Sequence, residues 1–391
     1  MHRTFSFRTT IKAAGALICT FTGIVLTTGC GDTGSSASGS GDTTMKYARF
    51  LRINSAEGYT AAEIINPWDT TSLMHRYILV PSDSPVPECL PEGSIIRTPV
   101  DHIIVYSSVH ASIIDMLGAA DRISGVCEPE YMTCRAVKER VADGSIIDCG
   151  NSVSPSIEKI AQAGGEIIIA SPFQNSSYGA AGKLGIPIIE AADYMEILPL
   201  GRTEWVRLFG VLLDRETQAD SIFQKAESEY NSLKDMIQRH IDSLGGESHR
   251  PTLLAERRYG SSWDVPGGRS YMARMYRDAG AAYIFGGTTT SANVNMSFEN
   301  VLQKGMNADI WVMKYWSGKP MSYSSLESEY PLYSGFDAFR KHRIFGCNTY
   351  ESSYYDDIVL NPALILKDLA AVFHPDLFPE YTAVYFKPLN L

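Results

Sequence analysis

The stretch "RETQADSIFQKAESEYNSLKDMIQRHI", residues 215–241, decides how the rest of the sequence is interpreted. Its apolar residues recur at the three-four spacing of one helix face: Ile222, Ala226, Tyr230, Leu233, Ile237 and Ile241. At 1.5 Å per residue, about 26 helical residues would span roughly 40 Å. The following "DSLGGESHRP" ends the pattern with glycines and a proline. The sequence therefore predicts one long helix, from about Glu216 to His240, in the middle of the chain.

Strands and helices alternate before this helix. "DHIIVYSS" (101–108) and "EIIIASPFQ" (166–174) are apolar strand patterns that run into polar loops. Between them, "VHASIIDMLGAADRI" and "SPSIEKIAQAG" have helical spacing. Such alternation favours a parallel sheet. We therefore predict an α/β lobe over residues 101–199.

The same alternation resumes after the long helix. "TLLAERR", "AAYIF", "ADIWVMKYW" and "RIFGC" are strand patterns separated by helical ones. The predicted fold is thus α/β, with two Rossmann-like lobes (101–199 and 245–391) joined by a helical linker over 200–244. Within this linker, "RTEWVRLFGVLL" is interpreted as one helix. Residues 45–100, rich in proline with short β-like runs, are predicted to be a strand-and-turn extension.

The N-terminus predicts export. Basic residues without an acid precede an apolar run from Ala13 to Leu26, which ends at Gly29-Cys30. We expect a signal peptide over 1–29, lipidation of Cys30 and a flexible Gly/Ser/Thr-rich tether over 30–44. Thr27 stands where lipoprotein signals usually have leucine, and an ordinary signal peptide is the alternative. The expected location is the cell envelope, facing the periplasm, with the lipid as the only membrane attachment.

Charge and cysteine content exclude some functions. The first 29 residues carry three cations and no acid, so their removal takes the formal charge from -10 to -13. Such a negatively charged surface repels nucleic acid, which is therefore not an expected partner. The expected oligomeric state is a monomer. Besides Cys30, five cysteines remain, an odd number: Cys89, Cys127, Cys134, Cys149 and Cys347. An exported protein allows a disulfide among Cys127, Cys134 and Cys149, whose spacing is not that of a zinc site.

Four stretches carry a family resemblance: "LGAADRISGV", "SIEKIAQAGGEIIIA", "WDVPGGRSYMARMYRDAGAAYIF" and "NPALILKDLAAVFHPDLFP". On these the chain resembles the helical-backbone class of ABC-importer solute-binding proteins, which includes ferric-siderophore, haem and cobalamin binders. The third stretch is similar to bacteroidete-type lipoproteins of this class. The resemblance covers about Pro99 to Pro379. One departure is Ala163-Gly164-Gly165-Glu166, where the family usually has Lys-Pro-Asp.

This resemblance, with the rule that ligands bind beyond strand carboxyl ends, implies a cleft between the two lobes. The first-lobe candidates are Ser108, His110, Tyr131, Phe173 and Gln174, and the second-lobe candidates are Arg257, Arg258, Tyr259, Trp263, Tyr315 and Trp316. Trp263 is expected on a loop facing the cleft, before a Gly267-Gly268 turn and a helix capped by Ser270. His110 or Tyr131 could be an axial ligand to haem. Core packing is the alternative for each aromatic, and helix capping for His110.

The implied function is capture of an iron chelate, either a siderophore or haem, for an ABC importer. Cobalamin is the alternative within the family; the adjacent Arg257 and Arg258 favour an anionic ligand, and one of them would face the cleft. An exported hydrolase is disfavoured because GxSxG and HExxH motifs are absent. Eight dispersed histidines give little support to a zinc or manganese binder. No cofactor of its own is expected. The resemblance also implies permease docking through Glu299 and, as a substitute, Glu158; solvated helix charge is the alternative.

Overall fold

The computed structural model describes residues 42–43, 45–174 and 177–391. The predicted signal peptide, Cys30 and residues 30–41 of the predicted tether lie outside these residues. At the other end of that tether, Asp42–Thr43 is an edge strand paired with residues 53–54. All described residues belong to one compact unit, which contains both predicted lobes.

The N-terminal extension forms a sheet of its own. Its strands, in the spatial order β1-β2-β3-β4-β5, are β1 (Asp42–Thr43), β2 (Leu51–Ala56), β3 (Tyr59–Ile65), β4 (Leu73–Pro81) and β5 (Ser94–Thr98). Neighbours are antiparallel except for β4 and β5. Its buried face, with Ile64 and Tyr77, shares one apolar cluster with Trp205 and Phe209 of the linker. The extension is therefore packed onto the body.

The first lobe is a parallel sheet in the order β10-β9-β6-β7-β8. Its strands are β6 (Ile103–Val105), β7 (Ile123–Val126), β8 (Ile147–Asp148), β9 (Ile167–Ala170) and β10 (Ile188–Glu190). Its helices are α1 (Ser108–Met116), α2 (Arg135–Ala142) and α3 (Ile157–Ala163). A single 3₁₀ turn, Ala181–Lys183, precedes β10.

The linker contains the predicted long helix. Its helices are α4 (Pro199–Glu204), α5 (Val206–Leu213) and α6 (Glu216–Leu244). The single helix expected over 202–213 is instead two, broken at the buried Trp205. Helix α6 is continuous and ends where Gly245 takes a φ of 114°, which favours glycine. Its buried face packs against the other two linker helices, α4 and α5.

The second lobe has a sheet in the order β14-β11-β16-β17-β18, parallel except for β18. These strands are β11 (Thr252–Ala255), β14 (Ala282–Tyr283), β16 (Ile310–Tyr315), β17 (Ile344–Asn348) and β18 (Lys387–Pro388). A small antiparallel sheet, β12-β13-β15, comprises β12 (Arg258–Tyr259), β13 (Ser262–Val265) and β15 (Val294–Met296). The helices are α7 (Tyr271–Asp278), α8 (Phe298–Gly305), α9 (Tyr323–Glu329), α10 (Asp337–Arg340), α11 (Tyr354–Leu360) and α12 (Pro362–Phe373). The two-lobed α/β prediction is confirmed. No helix in the described ranges could cross a membrane.

Trp263 is a core residue, so its prediction as a cleft residue was wrong. The expected loop is the middle strand β13, where Trp263 and Val265 point inward and Asp264 outward. The indole is fully buried and stacks on Trp311 at 5.5 Å between ring centroids. Its Nε1–H donates to the carbonyl of Ala255 at 3.1 Å. The alternation of a strand, rather than loop geometry, decides its direction.

The turn after β13 requires glycine for a reason other than the tight-turn geometry expected from the sequence. A Cβ on Gly267 would lie 2.4 Å from the carbonyl oxygens of Thr290 and Ala292. The glycine is therefore required by close backbone approach, and not by a left-handed turn. Ser270 does cap α7, as expected, because its hydroxyl accepts from the amide of Ala273 at 3.1 Å.

We predict that Trp263→Ala lowers the free energy of unfolding by about 3–5 kcal/mol, because it leaves a cavity among packed rings. Trp316→Ala is the control, since that ring is 53% exposed, and should cost less, about 1–2 kcal/mol, through loss of its two ring-edge contacts. Chemical denaturation followed by circular dichroism measures both. Equal losses in the two variants would contradict the core placement.

Candidate functional site

Three aromatic rings meet where the strand-end loops of the two lobes approach each other. Tyr131 follows β7 in the first lobe, and its ring centroid is 5.4 Å from that of Trp316, which follows β16 in the second. Tyr350, after β17, lies edge-on to Trp316 at 5.1 Å. Their exposed fractions are 52%, 53% and 55%, so each ring keeps a free face. We call Tyr131, Trp316 and Tyr350 the aromatic triad.

The sequence predicted two members of this triad and missed the third. Tyr131 and Trp316 were selected because each follows a predicted strand. Tyr350 lies two residues after β17 and obeys the same rule. The strand pattern "RIFGC" ends at Cys347, one residue earlier than β17, and therefore gives no signal for the loop beyond it. Extending the strand-end rule to that loop would have found Tyr350.

A polar contact also joins the lobes. Ser108 at the start of α1 donates its hydroxyl hydrogen to Asp356 Oδ1 of α11 at 2.6 Å. The hydroxyl of Thr133, also in the first lobe, donates to the other carboxylate oxygen. Burial raises the pKa of Asp356 to about 6, while its hydroxyl donors act in the opposite direction. Ser108 thus bonds a protein carboxylate at the junction of the lobes.

The cations near the second-lobe strand ends are engaged by protein groups. Nη1 of Arg257 contacts both carboxylate oxygens of Glu329, at 2.6 and 2.7 Å. The guanidinium of Arg258 lies 4.2 Å from the ring centroid of Tyr330. The positive charge of Arg257 is therefore balanced by a carboxylate, and the guanidinium of Arg258 is stacked on an aromatic ring.

A further ion pair lies at the ends of β11 and β16. The ammonium group of Lys314 contacts the carboxylate of Glu256, with about a sixth of each side chain exposed. Burial opposes the charge of Lys314, but Glu256 outweighs it and raises the pKa well above its ordinary value. Glu256 has a left-handed φ of 63°, and its carbonyl accepts from the Trp311 indole at 2.6 Å. Sequence reasoning missed this pair because its members are 58 residues apart, so that no local pattern links them.

His110 is not a ligand residue. Its ring is buried on the inner face of α1, 3.0 Å from Asp193 Oδ1 and 5.7 Å from the centroid of Phe209. Arg202 contacts the other oxygen of Asp193 at 3.2 Å. Burial tends to raise the pKa of Asp193, yet His110 and Arg202 hold it below its ordinary value. The expectation of an axial imidazole is thus corrected.

Tyr315 is largely buried in the core, with a small part of its surface lining a cavity within the second lobe. It is buried with Trp311 and Met313 in the second-lobe cluster, and its hydroxyl accepts from the Met321 amide at 3.2 Å. By contrast, Phe173, Gln174 and Tyr259 are exposed, as a cleft role requires. Among the described residues no ring contact joins Phe173 or Tyr259 to the triad. Their predicted roles stay predictions.

One cavity lies beside the aromatic triad, and the described residues contain no cluster of metal-binding side chains. A cavity of about 590 Å³ lies against the loop that carries Tyr350, lined in part by Asn348, Glu351 and Tyr385. In the parts of the chain that the structure covers, no group of three or more His, Cys, Asp or Glu could hold a metal ion.

Comparisons with known proteins agree with this architecture. Residues 103–350, more than half of the chain, match the periplasmic binding protein family, and the chain belongs to it. Its class is thus an extracytoplasmic solute-binding protein, as the resemblance implied. An uncharacterised lipoprotein of Methanocaldococcus jannaschii is 26% identical over 373 residues, covering 89% of this chain and 86% of that protein.

Two solved structures show the same fold. A periplasmic haem-binding protein from Pseudomonas aeruginosa has a TM-score of 0.58 at 14% identity, covering 75% of this chain and 99% of its own. A possible iron-binding periplasmic protein from Staphylococcus epidermidis has a TM-score of 0.55 at 17% identity, covering 71% and 100%. At these identities the likeness concerns the fold alone. The bacteroidete-type assignment stays a prediction.

The buried carboxylate of Asp356 predicts a pH effect. Because its pKa is raised to about 6 from an ordinary 3.8, the folded protein binds a proton that the unfolded chain does not between those values. This group's contribution to stability therefore falls as the pH rises from about 4 to 6, by about 3 kcal/mol in total. Asp356→Asn should remove that part of the pH dependence.

The measurement is urea unfolding at several pH values, compared between the natural chain and Asp356→Asn. Glu351→Gln is the matched control, since Glu351 is an exposed acid on the preceding loop. It should leave the pH dependence unchanged. An Asp356→Asn variant with the same pH dependence as the natural chain would show that this carboxylate is not held as described.

Proposed function

We propose that this protein captures a metal chelate, an iron–siderophore complex or haem, in the cleft between its lobes for delivery to an ABC importer. The observation that carries this proposal is the aromatic triad. Its three half-exposed rings come from loops of both lobes, at the edge where ligands of parallel sheets bind. Family membership supports the role of a solute-binding protein.

The chemistry of the triad suits a large, partly apolar ligand. Aromatic rings bury much apolar area and need few polar groups to orient what they contact. A ligand seated on Trp316 and Tyr131 would touch both lobes at once. Binding would therefore favour the arrangement in which the lobes approach each other, because only that arrangement offers both surfaces.

Closure should be small. Helix α6 is a continuous helix of 29 residues that is packed along the body, and no flexible hinge loop replaces it. Bending such a helix would break backbone hydrogen bonds and its buried stripe. We propose that ligand capture depends on side-chain and loop adjustment at the triad, with little change in overall dimensions.

Cobalamin is a second candidate, favoured by one specific observation. Arg257 is paired with Glu329, and Arg258 is stacked on Tyr330, so neither is free to balance an anionic chelate. A corrinoid, which bears little net charge, would need rings more than cations. The two candidates are separated by the ligand that the purified protein prefers.

We predict that Trp316→Ala and Tyr131→Ala each weaken chelate binding by about 1–3 kcal/mol, or about 5- to 150-fold, through loss of one stacked ring. Tryptophan-fluorescence or calorimetric titrations would use haemin, a ferric hydroxamate and cyanocobalamin as probes. Trp68→Ala, on the N-terminal extension, is the matched control and should bind normally. Unchanged affinity in both triad variants for every probe that binds the natural chain would refute this site.

We also propose that Glu158 and Glu299 dock the permease. Each lies two residues after a serine whose side chain caps its helix: Ser156 for α3 and Ser297 for α8. The two glutamates therefore occupy the same position on one helix of each lobe. Hydrogen bonds from its own amide and the capping serine lower the pKa of each, so both are ionised and fully exposed. Such a pair suits arginines on a two-fold partner.

The docking hypothesis predicts a charge-reversal effect. Glu158→Arg with Glu299→Arg should reduce stimulation of ATP hydrolysis by the reconstituted permease about tenfold or more, without changing chelate affinity. Glu139→Arg, on α2 of the first lobe, is the control. Full stimulation by the double variant would exclude this surface.

Attachment and assembly complete the proposal. Family membership and the relationship to a lipoprotein support an envelope location. We propose that lipid on Cys30 is the membrane anchor, followed by the flexible tether, and that the protein acts as a monomer. The domain limits given for the two lobes and the linker are part of the same proposal.

A further inference from the structure

Cys127 and Cys149 are neighbours on adjacent parallel strands. Strands β7 and β8 pair Gly125 with Ile147 and Val126 with Asp148, so the next position places Cys127 beside Cys149. The pairing extends to that position, because the Cys149 amide donates to the Val126 carbonyl at 2.7 Å. Neighbouring strands lie about 4.7–4.9 Å apart, and disulfides join Cα atoms about 4.4–6.8 Å apart. The backbone spacing therefore already fits a disulfide.

The two side chains also point to the same face. Both are fully buried in the cluster that contains Ile104 and Tyr106. Sγ of Cys149 lies 3.0 Å from the position that a Cβ on Gly125 would occupy, so it leans toward β7. The Cys149 thiol now makes only a weak contact with the Ile147 carbonyl at 3.7 Å. The two thiols therefore lie on the same face of the sheet, at paired positions of adjacent strands.

The remaining cysteines are placed elsewhere. Cys134 precedes α2 and belongs to the main apolar cluster, which is distinct from the one holding Cys127 and Cys149. Cys89 is exposed in the N-terminal extension, and Cys347 is buried on β17 of the second lobe. The sequence allows a disulfide between any two of Cys127, Cys134 and Cys149. The sheet leaves Cys127 with Cys149 as the one suitable pair.

We propose that Cys127 and Cys149 form a disulfide bond while the exported chain folds. The two thiols lose their protons, and one S–S bond forms. The two electrons reduce a disulfide of the exported compartment, protein-bound or small-molecule, to two thiols. This inference goes beyond the proposed function and does not depend on which ligand is bound.

Folding is the step at which the bond must form. In the folded chain both sulfurs are fully buried, and burial raises the pKa of Cys127 to about 12 and that of Cys149 to about 11. The thiolate is the reactive species in disulfide exchange, so folded reduced thiols are inert. An oxidant reaches them only before the sheet and α3 close over them.

The bond would stiffen the loop that carries Tyr131. It joins the points where the β7 and β8 chains enter their strand-end loops. Glu128, held at a left-handed φ of 51°, already links these loops. Its carboxylate accepts from the side-chain Nδ2 of Asn151 at 2.9 Å and from the Ser152 hydroxyl at 3.1 Å. A covalent link one residue away would fix the first-lobe ring of the aromatic triad relative to the sheet.

The test is to refold the full chain in a glutathione redox buffer and alkylate it under denaturing conditions without reductant. Peptide mapping by mass spectrometry should find Cys127 linked to Cys149, two hydrogen atoms lighter than the separate peptides, and Cys134 alkylated. Cys134→Ser should keep the link, whereas Cys127→Ser and Cys149→Ser should each abolish it. A chain folded first under reductant, then given oxidised glutathione, should stay unlinked.

Three results would overturn the proposal. One is a link that uses Cys134 in place of Cys127 or Cys149. Another is full alkylation of both cysteines in correctly folded chains recovered from the redox buffer, with circular dichroism confirming the fold. The third is rapid linking of the chain that had already folded under reductant, which would show that the thiols are not protected by burial.

Discussion

The buried stripe of α6 is the contact on which the other parts of the molecule depend. Phe223, Tyr230, Ile237 and Ile241 lie on its inner face and are almost completely buried. The stripe packs against α5 on the first-lobe side and against α12 of the second lobe. The Tyr230 hydroxyl donates to Asp278 of α7 at 3.1 Å, which adds a buried hydrogen bond between this helix and the second lobe. At 1.5 Å per residue the helix is about 44 Å long, so it reaches across the body.

Buried carboxylates fasten residues 46–50 and residues 384–386 to this frame. Glu204 accepts from the amides of residues 46–48 at 2.7–2.8 Å, and Glu196 accepts from those of residues 49 and 50. Asp368 of α12 accepts from the amides of residues 384–386. A buried carboxylate costs free energy unless it is bonded, and several backbone donors offset that cost. Part of the acidic composition is therefore structural, which the net charge alone does not reveal.

The sequence predicted what depends on local periodicity. Helix α6 repeats its three-four pattern many times, and the apolar strands β6, β9 and β16 are bounded by clear loops. A single sequence is therefore enough to predict these elements. The prediction of Trp263 as a cleft residue was wrong because β13 has only four residues, too few for the alternation of a strand to be recognised in the sequence. The pairing of Arg257 with Glu329 joins positions 72 apart and has no local signal. Tyr131 and Trp316 were found because strand ends are visible in sequence, but their contact across the lobes is a property of the fold.

The contacts that join the two lobes at the triad are weak compared with those along α6. Each ring-edge contact contributes about 0.5–1.5 kcal/mol beyond area burial, and the exposed faces of the rings are already hydrated. A single buried aromatic of α6 contributes more, since truncating such a ring costs about 3–5 kcal/mol. The body is therefore stable at its backbone helix and only lightly held at the triad. In the proposed function, a ligand would replace one ring-edge contact by larger contacts to both lobes without disturbing α6. The difference in strength would then let a rigid frame bind a bulky solute through small local movements.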